Sequence, residues 1–272
     1  MSKKPNALKR YYQSLINEYR QNKLTLIIYL ALRAIVIAIG ILLFLGGNYK
    51  GAFLCLVTLI LFLLPAFVQT TFNVELPTVL EIIVMLFAFA AEILGELAEY
   101  YMKIPIWDTL LHATTGFMAA AIGLSLIDLL NRSDRFNFSL SPFFVALVSF
   151  SFSMTIGVLW EFFEFGADVI LLTDMQKDTV ISHISSVALH PDNKNIPIII
   201  EGIKEVSVNG NALDIGGYLD IGLFDTMKDL LVNFVGAVLF SIFGYFYTKH
   251  QGKGKAAKVV KGLKMEKKPS QT

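Results

Sequence analysis

Residues 143–168 read FFVALVSFSFSMTIGVLWEFFEFGAD, a long apolar run that ends in three carboxylates. Its first 18 residues carry no charge and, as a helix rising 1.5 Å per residue, would cross most of a ~30 Å hydrocarbon core. Glu161, Glu164 and Asp168 follow, within a sector of about 60° on one helix face. Acids at a helix C-terminus face the negative end of its dipole. The stretch therefore predicts a membrane helix whose last turns carry a polar face that needs a partner.

The aromatic residues around these acids allow a simpler interpretation. Trp160, Phe162, Phe163 and Phe165 are typical of an aromatic belt at the membrane interface, from which the acids would reach into water. We interpret Trp160 in this way. For Glu161 and Glu164 we favour a functional role, because carboxylates inside a membrane are costly and usually serve a function.

The whole chain has the composition of a multipass membrane protein. Of its 272 residues, 55% are hydrophobic and only 17% are charged, and several apolar runs are long enough to span a bilayer. We predict an all-α polytopic fold with about six transmembrane helices, near residues 24–45, 51–68, 78–95, 108–130, 143–168 and 225–247. The first run is too long for a cleaved signal peptide. The single cysteine, Cys55, excludes an intramolecular disulfide framework and a CxxC motif.

The basic residues predict the orientation. Fourteen of the 23 Lys and Arg residues lie before the first span or after the last one. By the positive-inside rule both termini are then cytoplasmic, which requires an even number of spans. The predicted parts are a basic N-terminal tail (1–23), a membrane domain (24–248) with an extracytoplasmic insertion at about 173–224, and a lysine-rich tail (249–272). We expect disorder in this last tail and a β-hairpin around Asn209-Gly210 in the insertion.

Three local patterns predict how particular helices begin or are held. Thr78 and Glu81 have the spacing of a capping box, so we interpret Glu81 as a cap. Ser141-Pro142 predicts the start of the fifth span. Arg33 lies about 14 Å into the first span and is expected to snorkel to the interface or to pair with Glu81.

The predicted topology brings polar residues from four helices to one shallow depth on the outer side. Asp108 and His112 are spaced i,i+4 on the fourth span, which suits an Asp–His hydrogen bond or two ligands to one ion. Helix capping is the alternative for Asp108, Asp225 and Asp229. Because polar faces in lipid are stable when they converge, we expect one pocket. Its candidate residues are Asp108, His112, Glu161, Glu164, Glu92, Glu96, Asp225, Asp229 and Asn233.

Three motifs carry a family resemblance. They are W-D-x-L-L-H at 107–112, W-E-x-x-E at 160–164, and G-Y-x-D-I-G-x-x-D-T-x-x-D-x-x-x-N-x-x-G-A at 217–237. The chain resembles the YjdF-type predicted bacterial inner-membrane proteins over about residues 75–247, and more distantly VanZ-like proteins. The resemblance implies a bacterial cell membrane location. Through the VanZ-like relatives, which are linked to glycopeptide tolerance, it implies work on lipids or the cell envelope.

These observations leave three functions open. The first is an enzyme or binding protein for a lipid or lipid-linked headgroup, with Glu161 or Glu164 as general acid or base and His112, oriented by Asp108, as proton shuttle. A divalent cation could assist, with His112, Glu164 and Asp229 as candidate ligands. The second is a proton- or cation-coupled transporter. The third is a non-catalytic membrane interaction protein. Membrane lipids are the expected partners, and the sequence carries no nucleic-acid signature.

Overall fold

The structure is a computed structural model that describes residues 23–131 and 140–267. The basic N-terminal tail up to residue 22 and the last five residues lie outside this range. Clustering of contacts divides the chain into two compact units. The first comprises Met1–Thr155 and Val232–Thr272, and the second comprises Ile156–Leu231. We describe each unit by itself.

The described chain is mostly helical, and its main helices have the following bounds. They are α1 (Lys23–Leu45), α2 (Tyr49–Leu61), α3 (Leu64–Thr71), α4 (Thr78–Ala88), a π-helix (Phe89–Leu97), α5 (Tyr100–Lys103), α6 (Trp107–Asn131), α7 (Pro142–Leu171), α8 (Leu223–Lys249) and α9 (Ala256–Leu263). Among the described residues, six helical stretches are long and apolar enough to cross a membrane: Leu26–Leu45, Tyr49–Thr71, Thr78–Leu97, Trp107–Asn131, Pro142–Leu171 and Leu223–Lys249. The predicted all-α polytopic fold is confirmed.

The second span of the first unit is broken where α2 meets α3. Pro65 lies in the first turn of α3, where proline is tolerated because no intrahelical donor is needed. Arg33 of α1 points one guanidinium nitrogen, Nη2, at the carbonyl oxygen of Phe62, 3.4 Å away at this break. Its guanidinium also lies 4.1 Å from the centroid of the Tyr29 ring. Arg33 therefore contacts its own helix and the break between α2 and α3.

The predicted capping box at the third span is wrong. The helix α4 has Pro77 at its N-cap, without a side-chain cap hydrogen bond, so Thr78 is already helical. Glu81 is only 7% exposed, and its Oε1 accepts a hydrogen bond from Gln69 Nε2. The half-buried side-chain amide of Gln69 in α3 donates to the carboxylate instead. At the fifth span the prediction is confirmed, since Ser141 Oγ accepts the amide of Phe144 at 3.2 Å.

Glycines bring α6 and α8 into backbone contact within the first unit. A Cβ placed on Gly116 would lie 2.2 Å from the backbone oxygen of Asn233, and one on Gly236 would lie 2.3 Å from that of Ala113. Ser153 of α7 donates to the Gly116 carbonyl at 2.8 Å. Small residues permit this close approach, as tight packing in lipid requires.

The residues after α8 are ordered as far as Lys267, which corrects the expectation of a disordered tail. The helix α9 buries Ala257, Val260 and Leu263. Strand β8 (Glu266–Lys267) pairs antiparallel with β1 (Val74–Glu75), between the second and third spans. This pairing puts the C-terminal segment on the same side of the membrane as that link, as the even number of spans requires.

The second unit contains the ends of α7 and α8 and the segment between them. Its strands are β2 (Val180–Ile181), β3 (His183–Ser186), β4 (Ile198–Glu201), β5 (Ser207–Val208), β6 (Asn211–Ala212) and β7 (Tyr218–Leu219). They pair antiparallel as β2–β7, β3–β4 and β5–β6. The β5–β6 pair is the predicted hairpin, with φ of 52° at Asn209 and 81° at Gly210, the left-handed values of a type I′ turn.

Candidate functional site

Asp108 and His112 form a side-chain pair at the start of α6, within the first unit. Asp108 Oδ1 lies 3.4 Å from His112 Nε2, and the two side chains are 23% and 13% exposed. Asp108 stands inside the first turn, where the Leu110 amide already bonds to the Ile106 carbonyl. Asp108 therefore contacts His112 and does not occupy the N-cap. A carboxylate on one imidazole nitrogen orients the ring and leaves Nδ1 for another partner.

Asn233 of α8 is buried in the same unit, at 1% exposure. Its Nδ2 lies 3.4 Å from the Ser153 carbonyl oxygen and 3.6 Å from Met154 Sδ. Its Oδ1 has no hydrogen-bond partner among the described residues. A buried amide oxygen left in this state costs free energy, so Asn233 offers an acceptor for a water, a proton donor or a cation.

The acids at the end of α7 are buried while the neighbouring aromatic residues are exposed. In the second unit Glu161 is 4% and Glu164 9% exposed, whereas Trp160 is 45% and Phe162 67% exposed. The exposure of the tryptophan and phenylalanines is compatible with an aromatic belt. The acids are buried, so they do not reach into water as the simpler interpretation expected.

Gln176 joins the two helices of the second unit. Its Nε2 donates to Thr226 Oγ1 at 2.6 Å and lies 3.3 Å from Glu161 Oε2. Asp168 fixes the loop that presents this glutamine, because its carboxylate accepts the amides of Met175 (2.7 Å) and Gln176 (2.8 Å). Neither Gln176 nor Thr226 was among the candidates from the sequence. Asp168 at a helix end, followed by a polar loop, was the signal that could have pointed to them.

Lys228 supplies positive charge beside two of the candidate acids. Its Nζ lies 3.0 Å from Asp225 Oδ1 and 3.6 Å from Asp229 Oδ1. Asp229 is 2% exposed, whereas Asp225 also accepts the amide of Lys177 at 2.8 Å. Asp225 thus anchors the loop, and Asp229 is the buried carboxylate at the start of α8. Lys228 was not among the candidates from the sequence, although its i,i+3 spacing from Asp225 is that of an ion pair.

From the sequence, Glu92, Glu96 and Glu99 would fall within about 60° on one face of an α-helix, but the helix ends before Glu99. Glu92 and Glu96 lie in the π-helix, which ends at Leu97, and its i→i+5 hydrogen bonds change the angle between successive side chains. Glu99 follows in the left-handed region with φ of 61°, and its exposed carboxylate pairs with Lys103 Nζ at 2.9 Å. This hydrogen bond lowers the pKa of Glu99. Glu96 is exposed and Glu92 half-buried.

The candidate cation ligands come from both units. His112 belongs to the first, and Glu164 and Asp229 belong to the second. Imidazole nitrogen and carboxylate oxygens are a donor set that divalent cations accept. That these residues share one site stays a prediction from the topology.

Comparison with known proteins gives the family but no described function. No curated protein and no solved structure matches the chain. Residues 24–250 match a family model described as "Predicted membrane protein (DUF2238)". This match covers all six spans and the segment between the last two, and it does not bear on the YjdF-type or VanZ-like resemblance. The chain belongs to this family of predicted membrane proteins.

Proposed function

We propose that this multipass membrane protein binds the polar headgroup of a lipid or lipid-linked envelope component at the outer ends of its helices, assisted by a divalent cation. The observation that carries the proposal is the burial of Glu161, Glu164 and Asp229, each 9% exposed or less. Burying an ionised carboxylate is costly unless a positive charge or a proton compensates it. Gln176 Nε2 lies 3.3 Å from Glu161 Oε2, and Lys228 Nζ lies 3.6 Å from Asp229 Oδ1. A divalent cation would add positive charge to these carboxylates.

A hard divalent cation suits this environment. Mg²⁺, Mn²⁺ and Ca²⁺ prefer carboxylate and carbonyl oxygens, and Mg²⁺ is commonly held between protein carboxylates and a phosphate. A phosphorylated headgroup would share such a cation with Glu161 and Glu164. The exposed side chains of Trp160, Phe162, Phe163 and Phe165 on the same stretch of α7 offer an apolar surface for its chains.

Asp108 and His112 would supply proton transfer if the protein is an enzyme. A neutral imidazole oriented by a carboxylate is a common general base. The sequence-based topology puts this pair at the same depth as the carboxylates. We keep Asp108, His112, Glu161 and Glu164 as the candidate catalytic residues on this basis.

Thermal unfolding of the purified full-length protein tests the cation. We expect millimolar Mg²⁺, Mn²⁺ or Ca²⁺ to raise the melting temperature of the wild type, with a further rise when a short-chain phosphatidic acid is added. Glu161→Gln and Glu164→Gln should abolish the cation-dependent rise. The matched control is Glu201→Gln, an exposed glutamate of the same unit, which should respond like the wild type.

Two results would contradict the proposal. If no cation changes the melting temperature, and stability instead falls as pH rises through the carboxyl range, the buried acids hold protons in place of a metal. If the cation effect is present but phosphatidic acid adds nothing in the wild type, the site binds ions alone and the lipid part of the proposal fails.

A proton- or cation-coupled transporter is the second candidate, favoured by polar side chains deep in the first unit. The buried polar residues there include Ser125, Ser149, Ser153, Asn233 and Ser241. Polar residues inside a bundle often mark ion pathways. Proton uptake into proteoliposomes under an imposed gradient, lost in Asn233→Leu, would favour this function over headgroup binding.

A further inference from the structure

The C-terminal segment, residues 253–267, is fixed to the membrane bundle by an ion pair whose lysine is buried. Lys264 is 4% exposed, and its Nζ lies 2.9 Å from Asp128 Oδ2 of α6. The same nitrogen lies 3.3 Å from the hydroxyl of Tyr247 on α8. The next amide, that of Met265, donates to Ser125 Oγ at 3.0 Å. Charge, hydrogen bonds and apolar side chains all hold this segment.

These contacts set the depth of the segment. Ser125 lies six residues before the last residue of α6, so Met265 reaches about 9 Å inside the end of that span. Val260, Leu263 and Met265 join the same buried cluster as Leu80 and Leu124. Because α9 ends directly before this contact, it lies against α4 and α6 of the bundle.

The lysines of α9 point away from the bundle. Lys255, Lys258 and Lys261 are exposed, and at 100° per residue they fall within an arc of about 120° opposite the buried Val260. Lys253 and Lys267 at either end of the segment are exposed too, against one exposed glutamate in the segment, Glu266. The fold therefore turns a lysine-rich sequence into an oriented positive surface beside the end of the α6 span.

We propose that this surface, formed by Lys255, Lys258 and Lys261, binds anionic phospholipid headgroups in the leaflet on the side of the C-terminus. Charge complementarity carries the proposal, since each lysine near an anionic membrane surface adds to the electrostatic attraction. The side chains are long enough to reach phosphates while their stems stay on the helix. This surface involves none of the outer candidate residues, so it stands apart from the proposed headgroup site.

The test compares lipid binding by the full-length protein in detergent. The probe is a maltoside micelle carrying phosphatidylglycerol, with phosphatidylcholine as the neutral lipid, and the measurement is the apparent Kd at low and high salt. We expect the variant Lys255→Gln/Lys258→Gln/Lys261→Gln to bind the anionic micelle at least roughly tenfold more weakly. The wild-type affinity should fall with salt, and that of the variant should fall less.

A matched variant separates this surface from net charge. Lys103, Lys194 and Lys204 lie outside the C-terminal segment, and their replacement by glutamine should change the Kd by less than about twofold. The triple arginine variant at 255, 258 and 261 should bind like the wild type, and unchanged melting temperatures would verify that all variants fold.

Three outcomes would overturn the proposal. Equal losses in the two glutamine variants would mean that only net charge matters. Unchanged binding in the first variant would remove the surface from lipid recognition. Displacement of the wild type from phosphatidylglycerol by a polyglutamate peptide of matched charge would assign the surface to a soluble acidic partner.

Discussion

Replacing Gly116 by alanine adds only one methyl group, but it should destabilise the membrane bundle. The added Cβ would lie 2.2 Å from the backbone oxygen of Asn233 and 2.9 Å from its carbonyl carbon, whereas a carbon and an oxygen normally approach to about 3.3–3.6 Å. Both neighbours are helix backbone, so no side chain can rotate away. The helices α6 and α8 must separate by about 1 Å.

The magnitude follows from two opposing terms. Overpacking of a tight interface costs about 1–3 kcal/mol, and the separation also loosens the edge-on contact between Phe117 and Phe240, whose ring centroids lie 5.1 Å apart. Alanine is a better helix former than glycine by up to about 1 kcal/mol, which offsets part of this loss. We expect a net destabilisation of about 1–2 kcal/mol for Gly116→Ala.

The control is Gly166→Ala in α7, where an added Cβ meets nothing within 4 Å. The higher helix propensity of alanine then acts alone, so this variant should be as stable as the wild type or more stable by up to about 1 kcal/mol. Reversible unfolding in mixed micelles, followed by circular dichroism, measures both. If Gly116→Ala is as stable as Gly166→Ala, the close backbone packing of α6 and α8 is refuted.

Three further predictions concern charge. Asp128→Asn should lower the free energy of unfolding by about 2–4 kcal/mol and expose the segment after α8 to trypsin. Lys264→Met should lower it less, because Asp128 is 30% exposed and can hydrate. Equal trypsin sensitivity of the two variants would contradict this difference. Desolvation, and then repulsion by three neighbouring aspartates, raises the pKa of Asp178. Its contribution to the free energy of unfolding should therefore be most favourable below the pKa of an unfolded aspartate. This contribution should decline as pH rises through the raised pKa of the folded state. Melting curves of Asp178→Asn between pH 3 and 7, relative to the wild type, should therefore show a small gain only toward neutral pH. In a variant lacking Cys55, an impermeant thiol reagent on intact cells should label a cysteine at 195 and neither terminus; labelling of a terminus would reverse the topology.

Features encoded locally were predictable from the sequence. The apolar runs gave six spans because crossing lipid requires a length and a composition that a window of about 20 residues reveals. The Asn209-Gly210 pair predicted its hairpin, since few residues adopt two successive left-handed conformations. Ser141 and Pro142 predicted a helix start, because a serine hydroxyl can accept an amide at the N-cap and the fixed φ of proline suits the first helical residue.

Features that depend on neighbours distant in the chain were not predictable. Thr78 and Glu81 have the spacing of a capping box, yet the carboxylate contacts Gln69 on another helix. Glu99 does not continue the helix of Glu92 and Glu96, because that helix ends at Leu97 and Glu99 adopts a left-handed conformation with φ of 61°. The lysine-rich tail suggested disorder because its local composition is polar.

Local composition and hydropathy establish the membrane class, the number of spans and the polar character of their ends. Packing between distant segments establishes which polar residues are buried: Glu161 and Asp229 are, whereas Glu96 is not. It also decided that Lys264 is an internal residue, through Asp128 and Tyr247 of two other helices. The physical reason is that hydropathy is a sum over neighbours in sequence, whereas the burial of a charge depends on the groups that surround it in space.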